Sequence, residues 1–101
     1  MEKLKKFLKN NNIEYLENEL LSKHTTFGIG GPCKLMTFPK SIEEIFELCY
    51  KLNLDNTPYY VIGNGSNLLV KDKGYNGVII KLGSNFSHIN KKAIKLYVNQ
   101  D

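Results

Sequence analysis

Two glycines, two asparagines and a serine lie together in Gly63-Asn64-Gly65-Ser66-Asn67, flanked by the apolar runs Tyr59-Tyr60-Val61-Ile62 and Leu68-Leu69-Val70. Glycine admits positive φ and lets a ligand come within hydrogen-bond distance of main-chain N–H groups. Successive N–H groups in such a turn form an anion-binding concavity. Ser66 and Asn67 add side-chain donors. These residue types suit a phosphate or pyrophosphate held without any full positive charge. Two common patterns do not match. No lysine follows Gly65, as a Walker A loop requires, and position 68 is leucine where a dinucleotide fingerprint needs its third glycine. Spacing alone therefore leaves a second reading open, a tight turn between strands, where Asn and Gly are the usual residues.

The other reactive side chains point to less. His24 opens the stretch His24-Thr25-Thr26-Phe27-Gly28-Ile29-Gly30-Gly31-Pro32 and reads as a polar, solvent-facing or turn-capping loop histidine. His88 has no serine, cysteine or acidic partner nearby in sequence. Tyr59 and Tyr60 could stack on a ring; the plainer expectation puts one in the core and the other at its edge. Asp72 could orient the turn after the loop. Cys33 and Cys49 sit in no CxxC pattern and read as reduced thiols. The two histidines are not spaced to complete a zinc site with them, so no metal is expected.

These residues need a framework. Leu4, Phe7 and Leu8 recur at helical spacing with lysines opposite, which predicts a short helix over 2–11 ended by Asn10-Asn11-Asn12. Residues 13–23 fit either a strand or irregular chain. Three glycines, two threonines and a proline make 24–32 an ordered loop. A strand is expected over 34–38, stopped by Pro39. Ser41 can N-cap a helix, and Glu44 three residues on completes a capping box. Ile42, Ile45, Phe46, Cys49 and Leu52 then form the buried stripe of that helix, which should finish near Leu52-Asn53. Tyr59-Tyr60-Val61-Ile62 is a second strand whose continuous apolar run suggests cover on both faces. Strand, helix and strand make a βαβ unit. After the apolar run 68–70 and a polar turn, a third strand is expected at 77–82, then a hairpin from 86 to 98 around Asn90-Lys91-Lys92. A hairpin alone is marginal, so it packs on the βαβ core, pairs with another chain or belongs to a longer protein.

Length and composition bound the reading further. The chain has 101 residues, 42% of them apolar, and a net charge of +4. That suits one small folded domain or part of a larger one. No apolar run reaches membrane-spanning length, and the charged N-terminus lacks the apolar core of a secretory signal. The expected location is cytoplasmic, with no membrane partner. All 14 basic residues are lysines. The absence of arginine and the scatter of the lysines argue against a nucleic-acid partner.

Three segments together resemble the UDP-N-acetylenolpyruvoylglucosamine reductase family. They are 24–32, the capped helix, and 61–82, the last reading G-x-G-S-N-L-L-V, a charged turn, then G-[FY]-x-G-V-[IV]-I. The resemblance runs from about His24 to Leu82. It implies an α/β (α+β) fold: a small, mainly parallel three-strand sheet with flanking helices and the start of a second, antiparallel lobe, the FAD-binding PCMH-type N-terminal subdomain. It implies residues 1–23 as a helix and lead-in, and 24–101 as the truncated N-terminal portion of an FAD-binding domain. It assigns Gly63, Asn64, Gly65, Ser66 and Asn67 to the FAD diphosphate, with Leu68 beside them through its backbone. In such enzymes NADPH reduces FAD, and hydride passes to the enolpyruvyl group of a UDP-sugar in peptidoglycan synthesis. The serine proton donor and the assisting arginine and glutamate belong to later regions, so no catalytic residue is carried over. The isolated chain is expected to be inactive. The sequence departs from the family pattern at Gly28, where an arginine is common. The alternative is a non-catalytic fragment or interaction module, self-associating or pairing through an exposed sheet edge.

Overall fold

Leu4 and Leu8, one helical turn apart, are both buried on the inner face of helix α1 (Glu2–Asn10). Asn11 ends it: its side-chain amide donates to the carbonyl of Phe7 at 2.8 Å. Asn12 then takes φ 55, a left-handed conformation that asparagine tolerates better than most residues. The chain turns into strand β1 (Glu14–Glu17), which resolves the ambiguous 13–23 segment into a strand and a single 3₁₀ turn, Leu21–Lys23. Strand β2 (Cys33–Phe38), helix α2 (Ile42–Leu54), strand β3 (Tyr59–Ile62) and strand β4 (Tyr75–Lys81) follow. The computed structural model describes residues 1–24, 28, 30–63, 74–83 and 86. The apolar run at 68–70 and the hairpin expected from 86 to 98, apart from Phe86, lie outside the described residues.

Helix α2 starts where its cap predicts. Ser41 Oγ accepts from the Glu44 backbone N–H at 3.2 Å, an N-cap of a kind that contributes about 1 kcal/mol. The Glu44 carboxylate reaches back one residue further than a capping box requires and accepts from the Lys40 N–H at 2.8 Å. The buried stripe is Ile45, Leu48, Cys49 and Leu52. Ile42 is exposed, and Leu48 instead packs in the core with the strands.

The sheet order is β1-β2-β4-β3, with β2, β4 and β3 parallel and β1 antiparallel on β2. The fold is thus mixed α/β, with four strands where three were expected. The parallel strands β2 and β3, joined by α2, are not neighbours: β4 lies between them. Its Val78-Ile79-Ile80 run is fully buried, as a central parallel strand should be. Strand β3 is instead an edge among the described residues. Tyr60 on it is 44% exposed, which corrects the expectation that both faces of this run are covered.

The two faces carry separate cores. Leu4 and Leu8 of α1, Ile45, Leu48 and Leu52 of α2, and Leu35, Val78 and Ile80 of the sheet pack on one face. Burying each such aliphatic side chain contributes about 1.5–3 kcal/mol. On the opposite face, among the described residues, Leu21 of the 3₁₀ turn packs on Cys33, Met36, Ile62 and Ile79. Thr37, the buried polar residue of this sheet, donates its hydroxyl to the Ile79 carbonyl at 3.2 Å. No helix among the described residues is long and apolar enough to cross a membrane.

Candidate functional site at the carboxyl ends of the parallel strands

The three parallel strands end side by side. Thr37 and Val61 both align with Ile80, and Ile62 aligns with Lys81. The Leu82 N–H donates to the Ile62 carbonyl at 2.8 Å and closes this end of the ladder. In open α/β sheets this carboxyl edge is where ligands bind. Gly63 follows Ile62 directly, so the glycine-rich stretch starts there. A Cβ built on Gly63 would meet nothing within 4 Å. Asn64, Gly65, Ser66, Asn67 and Leu68 lie outside the described residues.

The far end of the same connection is clamped. Gly74 has φ +85 and presses on Pro32, and the Tyr75 N–H donates to the Pro32 carbonyl at 2.9 Å. Residues 63–74 therefore run from the carboxyl end of β3 to the amino end of β4. Gly30, Gly31 and Pro32 of the 24–32 segment are held against residues 20–22. The Leu21 and Ser22 N–H groups donate to the Gly31 and Gly30 carbonyls at 2.9 and 3.1 Å, and Leu20 bridges Pro32. Gly28 has φ +64, in the left-handed region that favours glycine over arginine or any other branched or long side chain. Thr25, Thr26, Phe27 and Ile29 lie outside the described residues.

His24 departs from the expectation of a solvent-facing loop histidine. Its side chain is 16% exposed. Nε2 lies 2.8 Å from a Glu19 carboxylate oxygen, and the Lys81 ammonium lies 3.0 Å from Nδ1. Phe38, the last residue of β2, is its ring neighbour, with centroids 6.5 Å apart. A lysine can only donate. Nδ1 must therefore accept, the ring proton sits on Nε2, and Nε2 donates to Glu19. Burial lowers the Lys81 pKa from its ordinary value. Glu19 and Lys81 drew no attention in the sequence because no local spacing links them: His24 and Lys81 are 57 residues apart.

The remaining candidates are structural. Cys33 and Cys49 are free and buried. Burial pushes the Cys49 thiol up to about 11 and the Tyr59 hydroxyl to about 12, so neither is an ionised nucleophile near neutral pH. Tyr59 packs on the helix-covered core and Tyr60 lies outside it with its ring 5.3 Å from that of Tyr75, dividing the two tyrosines between core and edge. No group of three His, Cys, Asp or Glu among the described residues could hold a metal ion. His88 and Asp72 lie outside the described residues.

No family model matches the chain. Curated proteins do. A UDP-N-acetylenolpyruvoylglucosamine reductase of Alkaliphilus metalliredigens is 50% identical over 74 residues, 70% of this chain and 23% of the relative. One of Caldanaerobacter subterraneus is 43% identical over 84 residues, 83% of this chain and 27% of the relative. One of Bacillus pumilus is 47% identical over 74 residues, 73% of this chain and 24% of the relative. The chain spans about a quarter of the length of the curated relatives it matches. Identity of this order, carried across most of a 101-residue chain, goes well beyond one glycine motif, and on it the chain belongs, as a part, to the UDP-N-acetylenolpyruvoylglucosamine reductase family.

Proposed function

We propose that this chain is the N-terminal FAD-binding part of a cytoplasmic, NADPH-dependent reductase that converts the enolpyruvyl ether of UDP-N-acetylglucosamine to UDP-N-acetylmuramate. Gly63, Asn64, Gly65, Ser66, Asn67 and Leu68 hold the FAD diphosphate through main-chain N–H groups and the Ser66 and Asn67 side chains. FAD supplies hydride transfer between NADPH and the UDP-sugar. The chain's own residues bind and orient, and none of them is a catalytic acid or base. The observation that carries the reading is the position of Gly63, directly past the carboxyl end of a parallel strand, in a chain whose relatives are named as this reductase. A glycine at this edge, with space where a side chain would stand and a lysine on the neighbouring strand end, fits a diphosphate.

The chain alone is expected to purify colourless and to leave NADPH unoxidised. FAD titrated into the isotope-labelled chain should shift the amide resonances of 63–68, and riboflavin, which has no diphosphate, should not. Equal shifts from the two ligands, or none from FAD at millimolar excess, would remove the diphosphate assignment.

A second reading, self-association through a sheet edge, is favoured by β1. Leu16 on this strand, an edge among the described residues, is 46% exposed, and a groove of about 430 Å³ beside it is lined by Ile13, Glu14, Tyr15, Leu16 and Phe38. Light scattering should then return a mass that rises with concentration. A constant monomer mass would exclude it.

A further inference from the structure

The geometry points to a role for Lys81 that the glycine loop cannot fill. We propose that Lys81 is a phosphate-contact residue, its ammonium held by His24 and Glu19 at the sheet edge where Gly63 opens the glycine stretch. The inference rests on the diphosphate reading of the 63–68 stretch.

Three observations carry it. Lys81 is the register partner of Ile62, so its Cα stands one strand spacing from the residue that leads into Gly63. Partners in register point to the same face, and Lys81 follows Ile79 by two residues. Its side chain therefore rises on the face that holds Ile62, not on the helix-covered one. Second, the ammonium is partly withdrawn from water yet makes no ion pair among the described residues. Its one polar partner there is His24 Nδ1, which occupies a single donor and leaves two. A half-buried ammonium with no counter-ion among the described residues is costly, and an anion at this edge would offset the cost.

Third, the lysine is held. Glu19 accepts from His24 Nε2, and that fixes both the tautomer and the ring orientation needed for Nδ1 to face Lys81. Phe38 limits the ring from the end of β2. Glu19 is itself anchored by the bond from the Cys33 N–H to its carbonyl at 3.0 Å. Glu19 and His24 are positioning residues: they set where the ammonium points without touching the ligand. The function served is charge. A turn of neutral N–H groups orients a diphosphate but leaves its full negative charge to be desolvated, and one fixed ammonium makes the stronger, charge-assisted contact.

The test is amide and histidine-ring spectroscopy of the labelled 101-residue chain titrated with inorganic pyrophosphate. Shifts are expected at 63–68, at Lys81 and in the His24 ring together. Lys81→Met should weaken binding about tenfold, the loss of one charge-assisted contact. Lys81→Arg should restore most of it, and a merely structural lysine would show no such rescue by charge. If Lys81→Met loses its dispersed spectrum, Lys81→Gln replaces it. Unchanged affinity in the neutral variants, with the loop amides still shifting, overturns the role of Lys81 and leaves the loop reading in place. Shifts at Lys81 and His24 with none at 63–68 overturn the loop reading, and silence throughout overturns both.

Discussion

Gly74→Ala is expected to destabilise the chain by about 3 kcal/mol or more, from left-handed backbone strain and a backbone clash acting together. Gly74 has φ +85, where an L side chain costs about 1–2 kcal/mol. The space is closed as well. A Cβ would stand 2.0 Å from the Pro32 carbonyl oxygen and 2.8 Å from the Pro32 nitrogen, both backbone atoms. Neither can retreat cheaply, because that carbonyl accepts from the Tyr75 N–H at the start of β4, and Pro32 is bridged to Leu20. Moving them would unseat the entry of the central strand. Urea unfolding followed by circular dichroism measures the loss. A midpoint equal to that of the parent chain would show that the close approach is not as tight as the backbone geometry makes it. Gly63→Ala is the control. A Cβ there meets nothing within 4 Å, so stability should change by no more than about 1 kcal/mol, the ordinary range of a glycine-to-alanine exchange.

Gly65→Val is expected to abolish the FAD-dependent shifts at 63–68 while leaving the fold intact. On the proposed reading, a β-branched side chain at the centre of the glycine stretch would keep a diphosphate from the main-chain N–H groups and disfavour positive φ. Loss of two or three N–H contacts to a charged ligand, each worth about 1.5–3 kcal/mol, would move binding beyond detection. FAD titrations of Gly65→Val and Gly63→Ala, run side by side, separate backbone access at the middle of the turn from access at its entrance. Undiminished FAD shifts in Gly65→Val would mean that the stretch is a chain reversal and that the diphosphate, if bound, lies elsewhere.

Much of this was legible along the chain, and the reason is local. Leu4, Phe7 and Leu8 mark a helix because 3.6-residue periodicity is a one-dimensional property, and Asn11 and Asn12 end it by chemistry of their own. Ser41 and Glu44 mark the start of α2 for the same reason. The run Tyr59-Tyr60-Val61-Ile62 coincides with β3, since β-branched and aromatic residues between Pro58 and Gly63 leave little else to form. The family resemblance, too, lay in contiguous residues, and the similarity to the curated reductases agrees with it.

What the sequence could not supply is adjacency. Nothing local says that β4 inserts between β2 and β3, because strand order is decided by which apolar strand gains most from two neighbours and two covered faces. Val78, Ile79 and Ile80 take that place. The same choice leaves β3 at the edge and exposes Tyr60, and it turns Leu48, not Ile42, onto the strands. It also sets Lys81 next to Ile62 and brings His24 and Glu19 up to it across 57 residues of chain. Residue types and spacing were enough to suggest an anion at the glycine stretch. Only the tertiary structure put a fixed positive charge at the same sheet edge, because a side chain's electrostatic partners are set by packing in three dimensions and not by its neighbours in sequence.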